Sequence, residues 1–317
     1  MSISDSNQDR YRFHLSLLHP RHWLTWIALG IFFIFTFLPI PVIDSIGCWL
    51  GSLASRKNRK RFKIAKINLS LCFPDKADED IDRMVVEHFR AQFRSVLHYS
   101  ILWWRPISTV RKIIHKTGFE KIAQYQQQGK KIIILLTHNV GLEFSGAAIS
   151  MDHKTIGPYK TMRNPVIDWM VAKGRLRFGK KHGNKLFTRE DGLRPLIREV
   201  RAGSILGYFA DEDLGEKNSV FASFYGVQKA TIPVLGRLAK TCDAVVLPCV
   251  SCYEPESGRY LIKLLPKIEG LPSGDDEVDS ESMNKAIERA IDYCPTQYLW
   301  TLRYFQTRPE GEEAVYD

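Results

Sequence analysis

A histidine at the end of an apolar run, with a glutamate five positions further on, is the first place in these 317 residues where chemistry could reside. The segment reads Thr137-His138-Asn139-Val140-Gly141-Leu142-Glu143 and follows Lys131–Leu136, whose apolar run predicts a buried strand. His138 then falls at a strand-to-helix junction, and Glu143 lies about one turn into the helix predicted over Val140–Met151. From there the carboxylate can reach back to one imidazole nitrogen. That contact would fix the tautomer, raise basicity and leave the other nitrogen free as a general base. Ser145 is near in sequence, but no nucleophile-elbow pattern surrounds it. A base without a protein nucleophile suits direct attack: an acceptor hydroxyl gives its proton to His138 and attacks an acyl thioester, while backbone N–H groups at the helix start receive the oxyanion. A structural histidine has the same local pattern, so the rest of the chain has to decide.

The elements that would position this pair alternate along the chain. A long helix is predicted over Ile81–Trp104, where Val85, Phe89, Phe93, Val96, Leu97 and Ile101 recur at helical spacing and Pro106 ends the run. Strands are predicted over Lys154–Tyr159, Ser204–Ala210, Ala244–Val250 and Tyr260–Leu265. Helices are predicted over Pro165–Arg177, capped by Asn164, and over Leu193–Arg201, Ile232–Thr241 and Ser280–Tyr293. Strands interleaved with helices argue for an α/β sheet covered on both faces, in which ligands gather at the carboxyl ends of strands. The acidic stretch Pro272–Ser280 reads as a solvated loop.

Trp23–Ile43 contains no charged residue and has the length of one bilayer crossing, about 20 residues. It is therefore expected to be a retained transmembrane helix; Pro39 and Pro41 stand where a signal peptide would carry small residues at its cleavage site. Arg56, Lys57, Arg59, Lys60, Arg61, Lys63 and Lys66 follow it, whereas only Arg10, Arg12 and Arg21 precede it, partly offset by Asp5 and Asp9. That bias places the large C-terminal part in the cytoplasm. The formal net charge of +10 suits an anionic membrane surface, a nucleic acid or an acidic protein. The position of the basic cluster beside an apolar run favours the membrane over nucleic acid. With 44% hydrophobic and 25% charged residues the composition is that of a globular chain and excludes general disorder. Of the six cysteines only Cys249 and Cys252 form a C-x-x-C spacing; nothing completes a metal set, and all six read as core thiols of a reducing compartment.

The segments Leu17–Gly30, Ile67–Asp75, Leu135–Glu143, Lys173–Arg177, Phe209–Val227 and Gln297–Pro309 together resemble, in order and over almost the whole chain, the late acyltransferases of lipid A assembly. The resemblance implies a mixed, mostly parallel α/β sheet flanked by helices, of the glycerolipid-acyltransferase-like kind, in an enzyme of the bacterial inner membrane. It implies His138 as general base and Glu143 as its orienting carboxylate. Arg175 matches the family's G-R-x-R arginine, near a phosphate or the oxyanion. Asp211 and Asp213 match its D-x-D, and if the two strands are neighbours they fall beside His138, able to bind a sugar headgroup or to position Arg175. Asn139-Val140-Gly141 and Tyr159–Arg163 depart from the lauroyltransferase pattern at positions flanking the pocket.

The implied donor is a fatty acyl group on acyl carrier protein, most readily lauroyl, with myristoyl as the alternative. The implied acceptor is a hydroxyacyl chain of a Kdo-bearing, tetra-acylated lipid A precursor, and no cofactor or metal is required. Another glycolipid or glycerolipid acyltransferase, a thioesterase and a membrane-tethered lipid-binding protein remain open alternatives. The expected organisation is a tail over 1–22, the membrane helix over 23–43, a basic helical region over 44–115, the catalytic domain over 116–310 and a short tail over 311–317.

Overall fold

The computed structural model describes residues 11–316, so the first ten residues of the expected N-terminal tail and the last residue of the chain lie outside the described part. Nine strands form among the described residues: β1 (Ile114–Thr117), β2 (Lys131–Leu136), β3 (Thr155–Pro158), β4 (Lys185–Phe187), β5 (Ile205–Phe209), β6 (Val220–Phe224), β7 (Val227–Thr231), β8 (Ala244–Glu254) and β9 (Arg259–Leu264). Seven of them make one sheet in the order β1-β9-β8-β2-β5-β3-β4, and β6 and β7 form a separate hairpin. Every neighbouring pair in the large sheet is parallel except β8 and β9. The mostly parallel, mixed α/β sheet expected from the sequence is the one observed.

β2 shows why such a strand reads as a continuous apolar run. Ile133 and Leu135 enter the core on one face, while Ile132, Ile134 and Leu136 enter the core on the other. A strand covered by helices on both faces has no polar side to present. The covering helices are α1 (Trp23–Ile34), α2 (Ile40–Lys57), α3 (Arg59–Cys72), α4 (Asp78–Trp104), α5 (Ile107–Lys112), α6 (Glu120–Gln127), α7 (Leu142–Ser150), α8 (Pro165–Leu176), α9 (Leu193–Arg201), α10 (Val234–Cys242) and α11 (Asp276–Ile291). α11 begins inside the expected acidic loop because Asp275 accepts hydrogen bonds from the backbone N–H groups of Glu277 and Val278 and so caps it.

The expected transmembrane helix over 23–43 is not formed: no helix of the described residues is long and apolar enough to cross a membrane. α1 ends at Ile34, one tight turn follows over Phe35–Phe37, and Leu38 and Pro39 are extended before α2 starts. The prolines enforce this break, since Pro39 and Pro41 cannot donate to a continuing helix. Arg105 fastens it by donating from Nε to the Thr36 carbonyl (2.8 Å) and from Nη2 to the Leu38 carbonyl (2.5 Å). The 12 residues of α1 span about 18 Å, short of the ~30 Å hydrocarbon core. Leu24, Ile27, Ile31 and Phe37 stay exposed on this segment.

α2 packs on α4 at backbone distance. A Cβ on Gly47 would lie 2.5 Å from the Arg94 Cα, and one on Gly51 would lie 2.5 Å from both the Arg90 Cα and the Phe89 carbonyl oxygen. Only glycine permits that approach. Cys252 and Cys294 form a disulfide, which corrects the expectation of six free thiols; Cys249, the other half of the C-x-x-C spacing, remains a buried free thiol. The bond ties the chain after α11 to β8. From there the C-terminal segment reaches the end of β2: the backbone N–H of Val140 donates to the Gln297 carbonyl (2.8 Å) and that of Leu299 to the His138 carbonyl (2.9 Å).

Candidate active site

Because β2 and β5 are parallel neighbours with Leu136 opposite Phe209, the residues leaving their carboxyl ends emerge side by side. His138 leaves β2 and Asp211 leaves β5. Asp211 Oδ1 lies 2.6 Å from His138 Nδ1, and Asp211 Oδ2 accepts from the backbone N–H of His138 at 2.7 Å. The Tyr298 hydroxyl, carried by the C-terminal segment, donates to the same Oδ2 at 3.0 Å. The Asp211 carboxylate is 1% exposed and the His138 side chain 18%, so one imidazole edge is gripped from inside and the other stays accessible. His138 Nε2 looks toward the half-exposed Glu212, 3.4 Å away. The Phe209 ring lies against the imidazole, with centroids 4.8 Å apart.

The charges are tuned by this contact. Burial works against a cationic imidazole, but the charge and hydrogen bond of Asp211, helped by Glu212, outweigh it and hold His138 above its ordinary value; Arg175 opposes the rise. Burial alone would push Asp211 up; the imidazole beside it and the backbone N–H bring it below the usual carboxylate range. The pair therefore consists of an ionised acid and a strengthened base.

Glu143 does not hold His138. Its carboxylate is engaged by Arg175, which donates from Nε at 3.1 and 3.0 Å and also from Nη2. The expectation that Glu143 orients the imidazole is corrected for a topological reason: the helix carries Glu143 onto α8's side of the sheet, while the neighbouring strand delivers Asp211 to Nδ1. The guanidinium lies 5.4 Å from the centre of the Tyr159 ring. Burial disfavours its charge, but Glu143 more than compensates and Arg175 stays firmly cationic. Among the described residues, Nη1 of Arg175 has no hydrogen-bond acceptor.

Two further expectations change. Asp211, expected beside His138 and able to bind a headgroup or to position Arg175, does lie beside His138, but it is buried and fully occupied by His138 and Tyr298. Asp213 accepts from the Thr307 backbone N–H (2.7 Å), the Thr307 hydroxyl (2.9 Å) and the Gly215 N–H (3.0 Å), so it staples its loop to the C-terminal segment. The backbone N–H groups of Val140, Leu142 and Phe144 at the start of α7 are already bonded to carbonyls and so are not open to an oxyanion. Tyr298 was missed as a site residue. Its signal is the Gln297–Pro309 segment, whose Tyr298, Trp300, Tyr304 and Phe305 are all fully buried.

A cavity opens beside the pair between α7, α8 and the β3 and β5 strands. Glu143 and Arg175 line it together with Leu136, Gly146, Phe178 and Phe209, and Ser150, Thr155 and Asn184 supply its polar lining. α7 borders it from Glu143 to Ser150, about 10 Å of helix. It is a mostly apolar slot with the Glu143–Arg175 pair in its wall; His138 is not part of the lining, but Phe209, which is, lies against the imidazole.

Comparison with known proteins points the same way. Residues 10–307 match the family described as bacterial lipid A biosynthesis acyltransferase. The chain is 35% identical to a lipid A biosynthesis lauroyltransferase of Escherichia coli over 306 residues, covering 96% of this chain and 98% of that one. It is 31% identical to a palmitoleoyltransferase of the same organism over 96% of this chain and 98% of the relative, and 30% identical to a myristoyltransferase over 96% and 93%.

Proposed function

Since the chain belongs to the bacterial lipid A biosynthesis acyltransferases, and is thus an acyltransferase, we propose that it transfers a lauroyl chain from acyl carrier protein to a hydroxyacyl chain of a Kdo-bearing lipid A precursor. His138 acts as the general base. The observation that carries this reading is the buried Asp211 carboxylate on Nδ1, which keeps the proton there and leaves Nε2 to accept one.

In the reaction, the acceptor hydroxyl gives its proton to Nε2 as its oxygen bonds to the thioester carbon. Negative charge develops on the former carbonyl oxygen, where the free Nη1 of Arg175, held rigid by Glu143, donates to it. Collapse breaks the carbon–sulfur bond, and the departing thiolate takes the proton back from the imidazolium. The fatty chain occupies the slot along α7, where burial of each methylene contributes about 0.8 kcal/mol. The identity to the lauroyltransferase, a few points above that to the other two relatives, favours a 12-carbon chain.

Attachment is proposed at the cytoplasmic face of the inner membrane through a surface rather than a span. Trp23, Leu24, Ile27, Ile31 and Ile34 form an exposed apolar face on α1, and Trp49 and Leu53 are exposed on α2 before Arg56. An apolar face flanked by basic residues lies in the interface of an anionic bilayer.

The test pairs purified protein with lauroyl-, myristoyl- and palmitoleoyl-carrier thioesters and a radiolabelled tetra-acylated precursor. Transfer is expected fastest with lauroyl and lost in His138→Ala. Hydrolysis to free fatty acid with no acylated product would overturn the transferase assignment for this acceptor, and undiminished transfer by His138→Ala would overturn the base.

A further inference from the structure

Lys229 is one of the largest fully buried side chains of the molecule, 1% exposed, on the inner strand of the β6–β7 hairpin. It faces Ala222 across the hairpin, whose turn is made by Tyr225 (φ 50°) and Gly226 (φ 79°). That turn needs left-handed backbone at both positions. Among the described residues, no acceptor lies within hydrogen-bond reach of Nζ, and its nearest ring is Phe224, with the centroid 5.9 Å away. An ammonium taken out of water without a hydrogen bond is costly, and it persists only where fixed counter-charge faces it.

The charged groups facing it come from one loop: Asp211, Glu212 and Asp213 all favour its charged form. The other elements packed here add little that could neutralise it. Arg308 donates to the Gln228 carbonyl at 2.6 Å and pairs with Glu312, and α11 presents the uncharged Asn284 to the hairpin. His138 occupies Asp211 Oδ1. Tyr298 donates to the same carboxylate and stacks on Tyr304, and burial keeps both phenols protonated. Asp213 spends its oxygens on Thr307 and Gly215, and Glu212 is half-exposed, so Asp211 is the buried carboxylate whose charge Lys229 offsets.

We propose that Lys229 is a positioning residue for the reaction: the buried counter-cation that keeps Asp211 ionised while His138 is neutral and weakens the imidazole's hold on its proton. The proposal rests on His138 being the general base. Without the cation, a buried anion beside a neutral imidazole is disfavoured, and the pair holds a proton to higher pH. With it, the resting state is carboxylate plus free base, the form that can accept a proton. Burial brings the Lys229 amine down to about 8, so this assistance fades as the pH rises past that value.

The experiment reads His138 directly. Ring-labelled histidine is followed by NMR through a pH titration in the full chain and in Lys229→Met, alongside the kcat/KM–pH profile of each. In Lys229→Met both the His138 titration and the acid limb of the profile are expected to move upward by on the order of one pH unit. Turnover at pH 8.5 is expected to approach that of the unmutated enzyme. Lys229→Arg, which keeps a cation, is expected to leave both where they were. An unmoved His138 titration in folded Lys229→Met overturns the proposal. A moved titration with an unmoved acid limb upholds the coupling and overturns His138 as base instead. If Lys229→Met does not fold, Lys229→Gln, which removes the charge but keeps a polar side chain, is read in its place, and an unmoved His138 titration in it overturns the proposal.

Discussion

Asp211→Asn separates the observed site from the one read off the sequence. Asp211 receives three donors: the His138 ring N–H on Oδ1, and the His138 backbone N–H and the Tyr298 hydroxyl on Oδ2. An asparagine has one carbonyl oxygen for these three. Placed with its oxygen toward Oδ2, its amide donates to Nδ1 and forces the ring proton onto Nε2, where the base has to be free. Placed the other way, its amide meets the backbone N–H of His138 and loses that bond. Either orientation damages the base, and the first inverts the tautomer; the same substitution behind a catalytic histidine elsewhere costs about 10⁴-fold in kcat. The expectation here is a loss of 10³- to 10⁴-fold in kcat with KM nearly unchanged, since Asp211 is buried away from substrate. Lost charge-assisted hydrogen bonds also destabilise the fold by about 2–3 kcal/mol. The assay is single-turnover acyl transfer from a lauroyl thioester, run well below the variant's melting temperature. Glu143→Gln is the companion: it keeps the shape but loosens Arg175. If folded Asp211→Asn keeps turnover within tenfold of the parent while Glu143→Gln alone abolishes it, the assignment of the orienting carboxylate to Asp211 is wrong.

Other outcomes follow from the same geometry. With His138 held above its ordinary value of 6.5, kcat/KM is expected to climb through an acid limb above pH 6.5 that disappears in His138→Ala. In melting experiments the imidazole's contribution is complete below 6.5 and lost as the pH passes its raised value, whereas that of Asp211 is present above the unfolded carboxylate value and lost as acid passes its lowered one. Gly146 lines the slot with open space where a Cβ would go, so Gly146→Leu is expected to shift donor preference to shorter chains, roughly fourfold per methylene, while Gly146→Ala changes it little. A donor-length series tests this. Thiol titration of the denatured, unreduced chain is expected to count Cys48, Cys72, Cys242 and Cys249, and reduction adds Cys252 and Cys294. Replacing Leu24, Ile27 and Ile31 by serine is expected to weaken binding to anionic vesicles at least a hundredfold in flotation assays, because each apolar side chain contributes about 1.5–3 kcal/mol.

Much of the sheet could be read from residue types. Lys131–Leu136 is a strand at its expected bounds, and Leu193–Arg201 a helix at its own, because an unbroken apolar run and a clean helical stripe each admit one interpretation. The hairpin β6–β7 was not read. Its strands are five residues each and carry Lys229 inward, which breaks the alternation that marks a strand. The expected membrane span over 23–43 joins α1 to the first turn of α2 across Pro39 and Pro41, which break the helix. Gly47, Gly51 and Ser55, one helical turn apart and buried, were the sign that this segment packs on another helix.

His138 at the carboxyl end of a strand, an arginine on a later helix and an acidic loop after a second strand were all determined by local pattern, since each depends on neighbours within a few positions. Which carboxylate holds the imidazole was not local. Glu143 is five residues from His138 and Asp211 is 73 away, and sequence proximity favours the former. The parallel pairing of β2 with β5 decides for the latter, because register aligns the strand ends while the first turn of α7 rotates Glu143 toward Arg175. Pairing between distant strands is set by the packing of the whole sheet, and no spacing within one segment encodes it.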